Sequence, residues 1–278
     1  MQIQEWLRQL WILPGLLHGE KAFHGPYYAN VDVTHRCNMR CAYCRWHSPL
    51  VTDPLLDPGA PTDIDQSIFE RFCHDLEKMG SSLVQFVGAG EPVLHPHFME
   101  LVESTRRHKL KTIVYTNGTL FREYRSPDLI NSGLYLIRFS LFESSPEMYA
   151  AKNPYLKAGI YEANWVALQE LSAKKKDLHK SYPKIELCIP IGRGNMLHLD
   201  EMVNKGIAVG IDRVHFSVML DFNQEGLRPF ALEPQEIKAA SGQLEKIRRR
   251  LNRLHLGHNI DAVLLRYRIG RSVLKSAR

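Results

Sequence analysis

The sequence predicts an α/β protein, a parallel sheet with helices packed outside it, from two observations. Segments with a two-residue hydrophobic period alternate six times with segments of helical period, which is the pattern of parallel strands joined by crossover helices. A tight group of three cysteines follows the first of those strands, where α/β sheets carry their sites, in the loops after strand C-termini. Six units fit either a doubly wound open sheet or a partial barrel, and periodicity alone leaves both open.

Residues 1–19 (MQIQEWLRQLWILPGLLHG) place Trp6, Leu7, Leu10, Trp11 and Leu13 on a helical stripe that Pro14-Gly15 is expected to end. Two tryptophans on a short amphipathic helix suit a membrane interface, but Arg8 is its one cation, so covering one end of the domain is the favoured role. Ala29 to Thr34 alternates and reads as the first strand, delivering the cysteine loop. Ser48 to Thr62, with four prolines, is an irregular excursion. Asp63–Met79 has helical spacing at Ile64, Ile68, Phe69, Phe72, Leu76 and Met79, stopped by Gly80. Cys73 within it reads as a buried, inert thiol.

The alternation then repeats. Ser82–Val87, Lys111–Thr116, Leu134–Leu141, Lys184–Ile191 and Val214–Met219 read as strands. The helices that follow them are Pro96–His108, Arg122–Ser132, Ile160–Lys176, Leu197–Val209 and Pro234–Leu254. Ile260–Leu265 reads as a final strand of uncertain place. No low-complexity segment or Gly/Ser linker divides the chain.

At 278 residues and 24% charged, the chain is long enough for one large α/β domain. No run approaches the ~20 apolar residues of a membrane span, and the N-terminus lacks a signal-peptide pattern. Clustered thiols without an export signal suit a reducing, cytoplasmic compartment. Of the net charge of +6, Glu233–Arg278 contributes +7 (11 Lys/Arg against 4 Asp/Glu). A solvated helix face with a frayed end accounts for this tail. Only Tyr267 offers the aromatic interleaving of a single-strand nucleic-acid surface, so no nucleic-acid partner is expected.

Cys37, Cys41 and Cys44 stand in C-x₃-C-x₂-C spacing within VDVTHRCNMRCAYCRWHSP. Three thiolates this close ligate a metal or cluster without tertiary coincidence. Structural zinc sites close with four ligands, and no fourth cysteine lies nearby, Cys73 and Cys188 being distant. The simplest reading is a [4Fe–4S] cluster with one iron open to something other than protein. The alternative is a zinc site completed by His35 or His47.

With Asn38 after the first cysteine and Tyr43 before the last, this loop resembles that of the radical S-adenosylmethionine (radical SAM) superfamily. Five further segments match in order. Gly88-Ala89-Gly90-Glu91-Pro92 after strand two is similar to the family's GGEP motif, with alanine for its second glycine. Thr116-Asn117-Gly118 ends strand three like the family's TNG, and Ser140 ends strand four. Asn195 follows strand five, and His215-Phe216-Ser217 forms strand six.

The resemblance covers roughly residues 28–254. It implies a partial (β/α)6 TIM-like barrel of parallel strands with helices outside, between an N-terminal helical extension (1–27) and a basic C-terminal extension (255–278). It implies a [4Fe–4S] cluster on the three cysteines and S-adenosylmethionine (SAM) on the open iron, with Tyr43 at the cofactor. The SAM amino group would fall to Gly88, Ala89, Gly90 and Glu91, and the ribose to Ser140. Asn117 and Asn195 would face SAM, and the backbone at Phe216 and Ser217 would meet adenine. It further implies an external one-electron reductant, flavodoxin- or ferredoxin-like, and SAM cleavage to a 5′-deoxyadenosyl radical that abstracts hydrogen. Many members with this look append a C-terminal cysteine-rich (SPASM or twitch) domain holding auxiliary clusters. With no cysteine after Cys188, either this protein needs no auxiliary cluster or the sequence stops before that domain, and no N-terminal stretch has the length of a cobalamin domain.

Strand parity places Ile185, Leu187, Ile189 and Ile191 toward the helices, with Glu186, Cys188 and Pro190 in the lumen beside Asp32, Arg138 and His215. Such side chains either bind a polar substrate or form an internal salt-bridge network. Cys188 is also placed to return a hydrogen atom to a substrate radical, against the plainer role of a buried apolar residue. The expected function is a radical SAM enzyme acting on a peptide, sugar, nucleoside or other small polar substrate. The alternative is a non-catalytic zinc- or iron–sulfur-binding module that recognises RNA or protein.

Overall fold

The computed structural model describes residues 10, 13–52, 56–57, 59–121 and 126–267. The stripe at Trp6, Leu7 and Trp11, the first turn expected at Arg122, and residues 268–278 of the basic tail fall outside these.

Among the described residues seven strands form one sheet: β1 (Tyr28–Val31), β2 (Leu83–Phe86), β3 (Lys111–Thr116), β4 (Leu136–Ser140), β5 (Lys184–Ile191), β6 (Arg213–Val218) and β7 (Gly257–His258). Every neighbouring pair is parallel, and spatial order equals sequence order. A doubly wound sheet reverses its strand order at a switch point. This sheet has no reversal, so right-handed crossovers put the helices on one face and leave the other to line a lumen. β1 and β7 do not pair, and the result is an open, partial barrel.

The helices are α1 (Leu13–His18), α2 (Gln66–Lys78), α3 (Phe98–Arg107), α4 (Ser126–Asn131), α5 (Pro146–Lys152), α6 (Ile160–Asp177), α7 (Leu199–Val209) and α8 (Pro234–Arg253), with residues 260–267 forming α9. Local chemistry fixes their ends. Asp65 accepts the N–H groups of Ser67 and Ile68 at 2.8 and 3.1 Å and starts α2, later than periodicity suggested. A reciprocal Glu233/Glu236 capping box with Pro234 in the first turn starts α8.

Three expectations are corrected. Pro14-Gly15 does not end a helix, because both residues lie within α1, and proline is tolerated in a first turn where its missing N–H has no partner to lose. Ile260–Leu265 is helical, because Ile260, Val263, Leu264 and Tyr267 are buried at helical spacing while Leu265 is exposed. The last strand is instead the two-residue β7, beyond residue 254. Helix α5 was not anticipated; seven residues carry too little periodicity, and Ser145 caps it through the Met148 N–H.

The core lies between the outer sheet face and the helices. Val84, Phe86, Val114, Ile137, Phe139, Ile185, Leu187, Ile189, Ile191, Val214 and Phe216 meet Phe69, Leu76, Leu101, Leu168, Met202, Leu244 and Leu251. Each such side chain contributes about 1.5–3 kcal/mol by burial. Cys73 sits fully buried among them, and burial pushes its thiol up to about 12, the inert state expected of it.

Between α2 and α3, His108 faces two carboxylates, Nδ1 at 2.9 Å from Glu77 and Nε2 at 2.8 Å from Glu70. Both ring nitrogens donate there only as imidazolium. Hydrogen bonds to Glu77 and Glu70 raise its pKa above the usual 6.5, while hydrogen bonds, Glu70's chiefly from Ser104 and Glu77's chiefly from His108, lower the two carboxylates from 4.5. The histidine's contribution is complete below about pH 6.5 and is lost as pH rises through its folded pKa; the carboxylates' is complete above about 4.5 and lost on acidification. Urea midpoints of wild type and His108→Gln should therefore differ more at pH 6 than at pH 9. An equal difference at both would remove the imidazolium from the account.

Candidate active site

The segment between β1 and α2 is closed at its base. Thr34 and Asp63 form an antiparallel bridge, with the Thr34 hydroxyl donating to Asp63 at 2.6 Å. The Arg36 guanidinium meets Asp63 at 2.9 Å and donates to the Leu94 carbonyl. Inside this loop, Cys44 N–H donates to the Cys41 carbonyl, and the Trp46 and His47 N–H groups point at Cys44 Sγ, each at 3.4 Å. Ala42 N–H donates to the carbonyl of Lys152 at the end of α5. The three cysteines share no disulfide and are half-buried.

They line one cavity of about 250 Å³ at the C-terminal mouth of β1–β4, together with Tyr43, Gly88, Ala89, Gly90, Glu91, Asn117 and Ser140. Gly88 has φ +145°, and a Cβ there would lie 1.5 Å from Asp32 Oδ1; a Cβ on Gly90 would lie 2.2 Å from the Thr34 carbonyl oxygen. Glycine is what lets the β2 loop lie against the β1 loop. Ala89 keeps out of positive φ, so alanine is tolerated between them, and its N–H donates to Asp32 at 2.5 Å.

Glu91 is buried. Its carboxylate accepts the Asn117 N–H at 2.6 Å and the Val93 N–H at 3.3 Å, and burial pushes it up to about 7. Asn117 Nδ2 donates to Asn38 Oδ1, Asn38 Nδ2 donates to the Thr119 hydroxyl, and that hydroxyl donates to Asn117 Oδ1. This closed ring ties the cysteine loop to β3. Tyr43 packs edge-on against Phe142 (4.9 Å between centroids) and Phe230 (6.0 Å).

The thiols meet the chemistry of a cluster ligand set. Burial pushes Cys37 up to about 11 and Cys41 higher still, Cys44 adding to the effect. Such thiols lose the proton readily only to a bound metal. Among the described residues no three His, Cys, Asp or Glu side chains gather closely enough to hold one metal ion. Neither His35 nor His47 lines the cavity.

Four of the sequence-derived positions stand apart from it. Asn195 is buried and fully engaged, its Nδ2 donating to the Phe142 and Pro190 carbonyls and its Oδ1 accepting the Gly192 N–H. The Phe216 side chain faces the helices, and its N–H and carbonyl both bond the Asn259 amide at 2.8 Å. Ser217 is half-buried. Cys188 is buried in the lumen, in register with Ser140 and His215. Sequence reasoning missed Met39, Tyr115, Phe142 and Tyr149 in the cavity wall; of these, Tyr115 was open to the parity rule, since it pairs with Arg138.

Deeper in the lumen Glu186 bonds Arg138 and also Arg213, the latter at 3.0 Å. Arg138 reaches the Tyr115 hydroxyl and lies over its ring, 4.4 Å from the centroid, and Tyr115 donates to Gln85. His215 is pushed down to about 4 by burial and then by Arg138. The parity assignment of Arg138, Glu186 and His215 to the interior agrees with this network. Asp32 instead serves the rim.

A sequence model of the radical SAM superfamily matches residues 31–177. The tungsten-containing aldehyde ferredoxin oxidoreductase cofactor-modifying protein of Pyrococcus furiosus is 24% identical over 202 residues, 71% of this chain and 53% of that protein. PqqA peptide cyclase of Gluconobacter oxydans is 27% identical over 186 residues, 67% of this chain and 47% of that one. Among solved structures, Streptococcus suis SuiB bound to S-adenosylmethionine superposes with a TM-score of 0.69 at 14% identity, covering 89% of this chain and 52% of SuiB. The chain spans about half the length of these relatives, and the structural likeness speaks for the fold.

Proposed function

The chain belongs to the radical SAM superfamily, and on that premise we propose that it is an enzyme that uses a [4Fe–4S] cluster and SAM to take hydrogen from a peptide substrate. The observation that carries this is the meeting of Cys37, Cys41 and Cys44 with Gly88–Glu91, Asn117 and Ser140 around one cavity. When bound, cluster and SAM supply a one-electron cleavage that yields a radical able to attack an unactivated C–H bond. The three thiolates would each hold one iron, and the N–H groups of Trp46 and His47 stabilise the charge on Cys44. Gly88–Glu91 offer backbone to the SAM amino group, Ser140 a hydroxyl to the ribose, and Tyr43 an aromatic face. Asn195 and Phe216, whose polar groups are engaged by protein partners, and Ser217 would support the strand ends near the cofactor rather than touch it. The aromatic wall of half-buried Tyr43 and Phe142 with buried Tyr149 excludes water and stray hydrogen donors.

The peptide assignment rests on relatives named for peptides, PqqA peptide cyclase and SuiB solved with the precursor peptide SuiA. A flavodoxin- or ferredoxin-like protein would deliver the electron, in the cytoplasm. No helix among the described residues is long and apolar enough to cross a membrane. Anaerobic reconstitution followed by iron, sulfide and zinc analysis, and by chromatography of 5′-deoxyadenosine under reduction, tests the reading. Zinc without sulfide, and no 5′-deoxyadenosine, would overturn it.

Cys188 enters as a donor of the hydrogen atom that quenches the substrate radical. Its S–H bond breaks as the substrate C–H bond forms, and the thiyl radical left behind takes an electron from the same external reductant and a proton from solvent. Burial holds its thiol protonated, at about 12, so an S–H is present to give. Cys188→Ser keeps the size and withdraws the weak bond. With substrate present, 5′-deoxyadenosine should still form while normal product is lost. Unchanged product yield would reduce Cys188 to packing.

A further inference from the structure

The end of the barrel opposite the cysteines carries a second cavity, of about 660 Å³. It lies where β5, β6 and β7 begin and where α6 and α8 end, and its charged lining is Lys176, Lys184, Arg213 and Asp212. The distance from Arg213 to the cavity end of β6 is five residue steps, about 17 Å at the usual strand rise, so this is not the space that the cysteines line.

The charges here do not balance. Asp212 is in contact with Lys175, whose side chain is 7% exposed, and its second oxygen stands 3.8 Å from Lys184. Glu186 is in contact with Arg138, 9% exposed, and also with Arg213 at 3.0 Å. A buried cation requires a carboxylate of its own, so Lys175 and Arg138 already account for both negative charges. Lys184, Arg213 and Lys176 are left as a surplus of three around a concave space. Lys176 belongs to the last turn of α6, where the helix dipole alone favours a cation. Lys184 and Arg213 begin strands, away from any helix C-terminus; Lys184 also lies 5.4 Å from the centroid of the Tyr182 ring, and Arg213 shares Glu186 with Arg138.

Two glycines on the rim let the cations stand there. A Cβ on Gly210 would come within 3.0 Å of Lys176 Nζ, and one on Gly257 within 2.9 Å of Arg213 Nη1. Side chains at these positions would displace both groups from the wall. Small-molecule sites commonly have volumes of about 300–1,000 Å³, and this cavity falls in that range.

We propose that this N-terminal mouth of the barrel is a second binding site, for a small anion of two or three charges that carries phosphate or carboxylate groups. It is independent of the cysteine loop and stands whether or not the radical chemistry does. Calorimetry on the full chain at low salt, with inorganic pyrophosphate as the phosphate probe and citrate as the carboxylate probe, tests it. At least one probe should bind with a Kd below about 1 mM, weakened by added chloride as screening requires, and the tighter one identifies the source of the anion. Lys184→Gln/Arg213→Gln should weaken binding tenfold or more. Lys176→Gln, at an exposed position with no salt bridge among the described residues, should weaken it severalfold, and it keeps the test decisive if the double variant folds poorly. Binding of neither probe below about 1 mM, or binding unchanged by Lys176→Gln and by the double variant where that folds, would overturn the proposal.

Discussion

Alanine in place of Cys37, Cys41 or Cys44 is expected to abolish both the sulfide-containing iron and the formation of 5′-deoxyadenosine, while Cys73→Ala leaves both intact. The contrast rests on position. The three loop thiols line one cavity with the SAM-site candidates, and an iron of the proposed cluster would lose its one protein ligand when a thiol is removed. Cys73 lies on the buried face of α2, so its replacement removes packing and no ligand. The loop itself should persist in the variants, since the Thr34–Asp63 bridge and the Asn38–Asn117–Thr119 ring hold it without the sulfurs. Circular dichroism should accordingly be unchanged. A Cys41→Ala protein that cleaves SAM at the wild-type rate would end the radical reading.

The second large effect concerns stability. Glu186 is 1% exposed and holds two guanidiniums. Glu186→Gln leaves Arg138 buried with no carboxylate, its partners reduced to the Tyr115 hydroxyl and ring and a neutral amide oxygen. Removing one side of a buried pair costs about 3–5 kcal/mol, a large share of the 5–15 kcal/mol that typically holds a domain together. Arg213→Gln should cost about 1 kcal/mol or less, because Arg213 is half-exposed and Glu186 keeps Arg138. Urea denaturation of the two variants separates these outcomes. A Glu186→Gln protein with the wild-type midpoint would show that the lumen charges are not structural.

The sheet was legible because its strands carry strong alternation and its crossovers carry strong helical period. The choice between barrel and open sheet was not, since both arise from the same local pattern; strand order decides it, and order is a tertiary property. Ser140 and Gly88–Glu91 share the cavity of the cysteines because they end or directly follow strands, where the loops of such a sheet gather. Asn195 looked equivalent, at the end of β5, yet its amide turns inward to three backbone groups, a competition that spacing does not show. Residues 260–267 were misassigned because a short apolar run satisfies both periods.

The pairing of Phe216 with Asn259 bears on how the molecule behaves in company. A sheet rim with free N–H and carbonyl groups is a template on which another chain can add a strand and begin aggregation. β7 covers β6 only as far as Val214 and His258, so the next outward-facing backbone groups would lie open at Phe216. A single carboxamide occupies both of them. One side chain thus does locally what a further strand would need about five residues to do, and a second copy finds no place at Phe216 to continue the sheet.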